Sequence, residues 1–429
     1  MQVSYENSAA YKRLQQLFDD GVFTDLNTLL SDAVITAYGT ISGVPCYAFS
    51  QNIEANGGAI DKKQCDKLLK VYELAKTTGC PIVGIYDSNG MDLKEPAEAM
   101  NGLAALVKAS SRLSGVVPQI SVIAGACLAT AAVLANAADL VVCMKDAAYR
   151  LSILSEEYDK LGKAEDAADI CAESFEECAA AVKTLLSLLP QNNLSPVPVT
   201  EYTAPQSTEY GSIEAIADEG SVIELKKQYY ILQTRTALAT VAGKTTGFVD
   251  FGNNGKLNYS DLVKADGFIK LCDAYSIPVV TLANADGYSL TPEAMLLEST
   301  ASLTSAYAGA TCPKISLITK KAVGSAYMLL AGKGANADYV LAWENAVISP
   351  LNPDSAVAFL YGERLAAGES REALEAEYAE TEASASKAAQ TGLVDAVIAP
   401  EQTRETLINV LDMLSGKRET TIPRKHSVK

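Results

Sequence analysis

Two short runs of small residues carry the chemistry that this sequence offers. Residues 125–131 read Gly125-Ala126-Cys127-Leu128-Ala129-Thr130-Ala131, and residues 322–327 read Ala322-Val323-Gly324-Ser325-Ala326-Tyr327. Each follows an apolar strand pattern and opens an apolar helical pattern. At such a junction small side chains let a ligand approach the backbone. The first N–H groups of the helix have no partner within it, and amides so placed stabilise a developing oxyanion without any titratable side chain. Few other mechanisms remain open. The chain holds one histidine, His426, close to its C-terminus, which leaves no Ser-His-Asp triad or multi-His metal site within one chain. None of the nine cysteines forms C-x-x-C, so zinc-ribbon and redox-motif readings fail.

The elements that must position these turns occur twice. Residues 79–90, GCPIVGIYDSNG, match residues 276–287, SIPVVTLANADG: an apolar strand after X-Pro, then a polar turn ending in Gly90 or Gly287. Residues 117–131, VPQISVIAGACLATA, match residues 312–326, CPKISLITKKAVGSA. Each helix that follows leads to a strand opening with Ala-Asp, at Ala138-Asp139 and Ala337-Asp338. Such ordered repetition marks an internal duplication. A proline-bearing connector, Leu188 to Ser207, separates the halves, and we place the boundary near residue 200. The expected domains are 1–200 and 201–429, each an α/β unit of alternating strands and helices. The acidic, Ala-rich stretch Glu363 to Lys387 reads as an exposed amphipathic helical segment.

Composition narrows the partners. A net charge of −17 and a pI near 4.6 offer no basic field to displace counterions from nucleic-acid phosphates. The most apolar run, Ile120 to Ala135, is bounded by Gln119 and Asn136 and falls short of the ~20 residues of a membrane span; it reads as a buried strand followed by a buried helix. An odd number of cysteines and the absence of a signal-peptide pattern point to the cytoplasm.

In order along the chain, these segments resemble a known family. They include Leu14-Gln15-Gln16-Leu17-Phe18-Asp19-Asp20-Gly21-Val22-Phe23, Tyr47-Ala48-Phe49-Ser50-Gln51, Tyr86-Asp87-Ser88, Val117-Pro118-Gln119-Ile120-Ser121, the run Phe268 to Pro278, Cys312 to Ser316, Ala322 to Tyr327, and the basic end Pro423-Arg424-Lys425-His426. The chain resembles the carboxyltransferase subunits of biotin-dependent acyl-CoA carboxylases and decarboxylases, of the propionyl-CoA carboxylase β-subunit type. The resemblance implies two tandem crotonase-like spiral domains, with 1–200 on the acyl-CoA side and 201–429 on the carboxybiotin side. It implies biotin on a separate carrier protein, an acyl-CoA substrate and no metal. It further implies partner biotin carrier, biotin carboxylase or decarboxylase subunits, and a homo-oligomer. In that family carboxybiotin releases CO2, biotin N1 is the base at the acyl α-carbon, and two amide holes stabilise the enolates. By position, the hole residues here are Ala129 and Thr130 on one side and Ser325 and Ala326 on the other.

The departures from the family pattern fall on these turns. The pattern D-S-G-G-A-R appears as Asp87-Ser88-Asn89-Gly90-Met91-Asp92, and G-P-C-A-G-G-A as Gly125 to Ala131 with both central glycines replaced. Thr130 would be costly at a positive φ. The second half keeps Gly324 but has Ser325 for the next glycine. V-D-V-P-G-F appears as Ala283-Asn284-Ala285-Asp286-Gly287-Tyr288, and the later turn M-G-A-x-G-A-V as Ser349 to Val357. Gly57-Gly58, before a helix bearing Lys62 and Lys63, reads either as a CoA-phosphate contact or as a solvated helix face with Asp61 countering its dipole. Gly90, Gly287 and Gly324 complete the expected ligand-binding set. Cys143-Met144-Lys145-Asp146 superficially resembles a biotinyl-lysine motif but follows a buried strand pattern, so the biotin must arrive on another protein. Two alternatives stay open: a catalytically diverged structural or regulatory subunit, and a crotonase-type hydratase or hydrolase using Asp92, Glu95 or Asp286.

Overall fold

The computed structural model describes residues 4–26, 30–151, 164–227, 234–252 and 255–419; the basic end at Pro423 to His426 lies outside the described residues. The chain divides into two compact units, Met1–Pro198 with Leu225–Tyr230, and Val199–Glu224 with Ile231–Lys429.

The first unit runs α1 (Ala9–Leu17), β1 (Phe23–Leu26), β2 (Val34–Ile41), β3 (Val44–Gln51), α2 (Lys62–Thr78), β4 (Ile82–Ser88), α3 (Pro96–Leu113), β5 (Gln119–Leu128), α4 (Thr130–Asn136), β6 (Leu140–Met144), β7 (Tyr149–Arg150), β8 (Ile170–Ala172) and α5 (Phe175–Leu188). Its sheet has the order β1-β2-β3-β4-β5-β6-β8, with β7 beside the end of β5. The second unit runs α6 (Ile213–Ile216), β9 (Ile223–Leu225), β10 (Arg235–Val241), β11 (Lys244–Asp250), β12 (Gly255–Leu257), α7 (Tyr259–Ala274), β13 (Val279–Tyr288), α8 (Glu293–Gly309), β14 (Lys314–Val323), α9 (Ser325–Ala331), β15 (Tyr339–Trp343), β16 (Val347–Ser349), α10 (Pro353–Leu360), α11 (Gly362–Ala366), α12 (Arg371–Thr381), α13 (Ala385–Gln390), β17 (Ala396–Ile398) and α14 (Thr403–Leu414). Its order is β9-β10-β11-β13-β14-β15-β17, with β16 beside the end of β14. The main strand paths match one for one, and the second unit adds a ninth strand, β12, parallel to the end of β13. In each unit an antiparallel hairpin leads into parallel strands joined by helical crossovers, as parallel pairing requires. β4 is buried along its whole length, as a strand covered on both faces must be.

The duplication reaches individual hydrogen bonds. The first hairpin turns at Ser42-Gly43 with φ of 50° and 75°, the second at Ala242-Gly243 with 49° and 77°, the paired positive φ of a two-residue hairpin turn. Asp19 accepts from the N–H groups of Ser42 and Gly43, and Asp218 from those of Ala242 and Gly243. The repeated Ala-Asp also has a physical cause. Asp139 accepts from the Gln119 N–H through its carboxylate and donates its own N–H to the Gln119 carbonyl, and Asp338 makes the same two bonds to Lys314. Each aspartate thereby fixes the start of one parallel strand against its neighbour. Lys67 and Lys264, both buried, donate from matching helices to backbone carbonyls of Val34 and Thr234.

The run Ile120 to Ala135 is strand β5 followed by most of α4. Among the described residues no helix is long and apolar enough to cross a membrane. All nine cysteines are free thiols. The stretch Glu363 to Lys387 is helical and is divided among the end of α11, all of α12 and the start of α13. Gly368 at φ 93° follows α11, Ser370 caps α12 and Ser384 caps α13.

Candidate active site

The first turn is made where β5 outlives its pairing with β4. The register of these strands shifts between Tyr86 and Ser88, after which Ser88 faces Cys127. The tip of β5 then pairs with β7. Ala129 donates its N–H to the Arg150 carbonyl at 2.8 Å and takes φ 51°, ψ −115°, and this reverses the chain into α4. The second turn repeats the device. Gly324 donates to the Ser349 carbonyl at 2.9 Å with φ 58°, ψ −129°, and α9 begins at Ser325.

This geometry corrects two expectations. Ala129 is not an available donor, because β7 consumes its N–H. The first turn instead leaves the N–H groups of Thr130 and Ala131 without acceptors among the described residues, and the second leaves those of Ser325 and Ala326. Thr130 does not occupy a positive φ: it is the first helical residue, and the strained conformation falls on Ala129.

Beneath the first turn lies a partly buried ion pair, with its carboxylate buried, that sequence reasoning missed. Asp87, at the end of β4, accepts from Arg13 on α1 at 2.7 Å and from the Ala126 N–H at 3.2 Å. Arg13 also donates to the Ala124 carbonyl. Gly125 is required here, since a Cβ would overlap the Asp87 carboxylate. No local motif signals Arg13, which lies far away in sequence and meets Asp87 only through the fold.

Gly57, Gly58 and Gly90 are brought together. Ser88 Oγ donates to the Gly58 carbonyl at 2.7 Å and accepts from the Gly90 N–H at 3.0 Å. A Cβ on Gly58, at φ 65°, would lie 2.7 Å from the Asp87 carbonyl. The pair of glycines therefore has a packing reason independent of any ligand. Asp61 caps α2 by accepting from the Gln64 N–H. Lys62 pairs with Asp66 at 2.6 Å, and Lys63 is exposed with no carboxylate partner among the described residues. The hydrogen bond to Asp66 raises the Lys62 pKa.

The carboxylates of the hydratase or hydrolase alternative are poorly placed for it. Asp92 accepts from the Lys94 N–H and from Asn56 in the loop, and Glu95 is exposed. Asp286 lies between Lys256 at 2.8 Å and Lys321 at 2.9 Å. Burial alone would raise its pKa, but the two ammonium groups outweigh that and hold it below the usual carboxylate range. It therefore makes a weak base. Gly287, at φ 153°, sits next to this cluster, and a Cβ there would lie 3.2 Å from Lys256 Nζ.

Next to Gly324 the second unit holds a cavity of about 840 Å³, lined among others by Tyr327, Ser349, Tyr361, Tyr378 and Lys387. Burial raises the Tyr378 pKa. The unfamiliar segment Ser349 to Val357 thus supplies part of a cavity wall. Among the described residues, no three of His, Cys, Asp and Glu group in a way that could hold a metal ion.

Comparison with known proteins agrees with this architecture. The sequence matches the family described as the carboxyl transferase domain over residues 6–155 and 162–428. It is 31% identical to methylmalonyl-CoA decarboxylase subunit alpha of Veillonella parvula, over 97% of this chain and 92% of that protein. It is 30% identical to the methylmalonyl-CoA carboxyltransferase 12S subunit of Propionibacterium freudenreichii subsp. shermanii, over 99% of this chain and 92% of that protein. The fold matches the transcarboxylase 12S crystal structure with methylmalonyl-coenzyme A and methylmalonic acid bound, at a TM-score of 0.88 and 29% identity, over 97% of this chain and 92% of that one. The chain belongs to the carboxyl transferase domain family. Its two units are tandem crotonase-like α/β domains.

Proposed function

We propose that this chain is a carboxyltransferase or decarboxylase subunit that moves a carboxyl group between biotin on a separate carrier protein and a small acyl-CoA of the methylmalonyl or propionyl type. The observation that carries the reading is the duplicated strand–turn–helix unit with open amides at the helix start in each half. The first half serves the acyl-CoA, where Thr130 and Ala131 hold the thioester oxygen as negative charge develops on it. Gly57, Gly58 and Gly90 let the ligand approach the backbone, and Lys62 and Lys63 meet CoA phosphates. The second half serves biotin, where Ser325 and Ala326 face the ureido oxygen and Gly324 and Gly287 keep the approach open. When bound, biotin supplies the carboxyl carrier and, once CO2 is released, the base at the acyl α-carbon. The amides need no side-chain acid or base, in keeping with a chain that has a single histidine.

The partners are a biotin carrier, a biotin carboxylase or decarboxylase subunit, and further copies of this chain. Matched apolar side chains stand exposed in both units: Leu93 and Leu290, Met100 and Leu297, Val133 and Met328. Equivalent apolar positions on two related domains suit a symmetric homo-oligomer. We place the chain in the reducing cytoplasm, a setting that nine free thiols accommodate.

The decisive experiment follows ¹⁴C from labelled methylmalonyl-CoA to free biotin or a biotin carrier. Transfer is the expected result. A chain that transfers no label and binds no CoA by calorimetry overturns the reading.

A further inference from the structure

Two positions at which this chain departs from its family's pattern meet in space. Ser325 stands where the pattern has its second glycine, and Tyr288 where it has phenylalanine. Tyr288, at the end of β13, donates its hydroxyl to Ser325 Oγ at 3.2 Å. Tyr288 is half-buried and Ser325 is exposed. The first unit has Met91 and Thr130 at the matching positions, and a thioether cannot donate. The hydroxyl pair is therefore a feature of the second half alone.

The bond has a chemical consequence. A serine hydroxyl has one proton and two lone pairs. With one lone pair occupied by Tyr288, its own proton remains free for an outside acceptor, and its rotation is restrained. The same residue carries the first open N–H group of the turn. A cyclic urea presents a carbonyl oxygen that gains negative charge whenever a ring nitrogen loses its proton, so an extra donor strengthens contact with that form.

We propose that Ser325 Oγ–H is a third donor to the ureido oxygen of carrier-borne biotin, and that Tyr288 is a positioning residue acting through it. This rests on the carboxyltransferase reading above. The test compares wild type with Ser325→Ala, Ser325→Thr, Ser325→Gly, Tyr288→Phe and the Tyr288→Phe/Ser325→Ala double variant. Two readouts are taken: transfer to free biotin, with kcat and both KM values, and calorimetric binding of free biotin. A donor to a charged oxygen is worth about tenfold or more, so Ser325→Ala should lower kcat by about tenfold. Ser325→Thr should restore most of it. Tyr288→Phe should lose less, and adding it to Ser325→Ala should lose nothing further. KM for the acyl-CoA should not move. Wild-type transfer that none of these changes alters, losses that multiply in the double variant, or a faster Ser325→Gly enzyme would overturn the hydroxyl pair and leave the carboxyltransferase reading standing. If wild type binds biotin without transferring, binding decides: several-fold weaker binding by Ser325→Ala supports the proposal, and unchanged binding overturns it. A wild type that neither transfers nor binds biotin overturns both.

Discussion

The first turn holds an alanine where the second holds a glycine, yet the backbone is the same: φ 51°, ψ −115° at Ala129 and φ 58°, ψ −129° at Gly324. Both residues donate their N–H to a short outer strand, Ala129 to Arg150 and Gly324 to Ser349. The comparison separates what the fold demands from what the residue prefers. The strand pairing beyond the turn sets the conformation, and the first unit keeps it even though a side chain makes it unfavourable. Beneath the turns the halves differ again. The first has a partly buried Arg13–Asp87 pair there, whereas Asn284, at the position matching Asp87, donates its amide to the Gly252 carbonyl at 2.8 Å. The geometry of the turns is thus retained in both halves although the residues at the Asp87 position differ.

The largest effect expected concerns the open amides of the turns. Proline at 326 removes one donor of the second turn. Loss of one oxyanion donor lowers the rate by ~100–1000-fold, so Ala326→Pro should abolish most transfer while CoA binding at the first half persists. Circular dichroism checks that α9 still forms. A variant that folds and transfers at the wild-type rate would remove Ala326 from the machinery.

Next comes the support beneath the first turn. Arg13→Ala leaves the Asp87 carboxylate buried without its cation, a loss of ~3 kcal/mol for a pair of this kind. Asn284→Ala removes a neutral hydrogen bond and should cost ~1 kcal/mol. Urea unfolding of both variants tests the difference. Equal losses would show that the charged pair contributes no more than its neutral counterpart.

The hairpins extend the comparison to pH. Ser50 and Asp250 occupy matching, buried positions. Burial pushes the Asp250 carboxyl up to about 6, against the opposing pull of the Gly252 N–H and Arg235. Its folded pKa lies above the unfolded value of ~3.9, so folding takes up a proton between the two. The stability this group contributes is full below pH ~4 and is lost as the pH rises through about 6. Asp250→Asn keeps an acceptor for Gly252 and removes the titration. It should gain ~2 kcal/mol over wild type at pH 7.5 and nothing at pH 4. A gain that does not depend on pH would refute the assignment.

Much of this architecture was legible because buried strands and X-Pro boundaries leave a pattern in every copy, and two copies make it plain. The Ala-Asp dipeptides were visible as strand starts, although their reciprocal bonds were not. Three features escaped because their partners are distant or brief. Arg13 meets Asp87 only through folding. Tyr149–Arg150, the strand that takes the Ala129 N–H, is two residues long and leaves no apolar run. Tyr288 reaches Ser325 across a helix and a strand of intervening sequence. The breaks within Glu363 to Lys387, by contrast, were written in Gly368, Ser370 and Ser384, where turn and capping chemistry overrides the helical composition.

The smallest effect is also the most direct test of the opening comparison. Ala129→Gly relieves a conformation that costs an L-residue ~1–3 kcal/mol, while glycine gives back ~0.4–1 kcal/mol through the greater entropy of the unfolded chain. The variant should therefore be more stable than wild type by ~1 kcal/mol, in contrast to the usual sign for Ala→Gly. The reciprocal change, Gly324→Ala, should be destabilising, since it adds the strain and sets a Cβ 3.0 Å from the Pro350 carbonyl. Neither change touches an open donor, because the N–H of each residue is already bonded across the sheet. Transfer by Ala129→Gly should accordingly stay within about twofold of wild type at equal folded fraction. Thr130→Gly should behave differently, costing ~0.5 kcal/mol or so as a helix-start substitution and relieving nothing. If Ala129→Gly instead destabilises while Thr130→Gly stabilises, the strained residue is Thr130. The turn would then carry its unusual φ one position later than in the second half, and the equivalence of the two turns would fail.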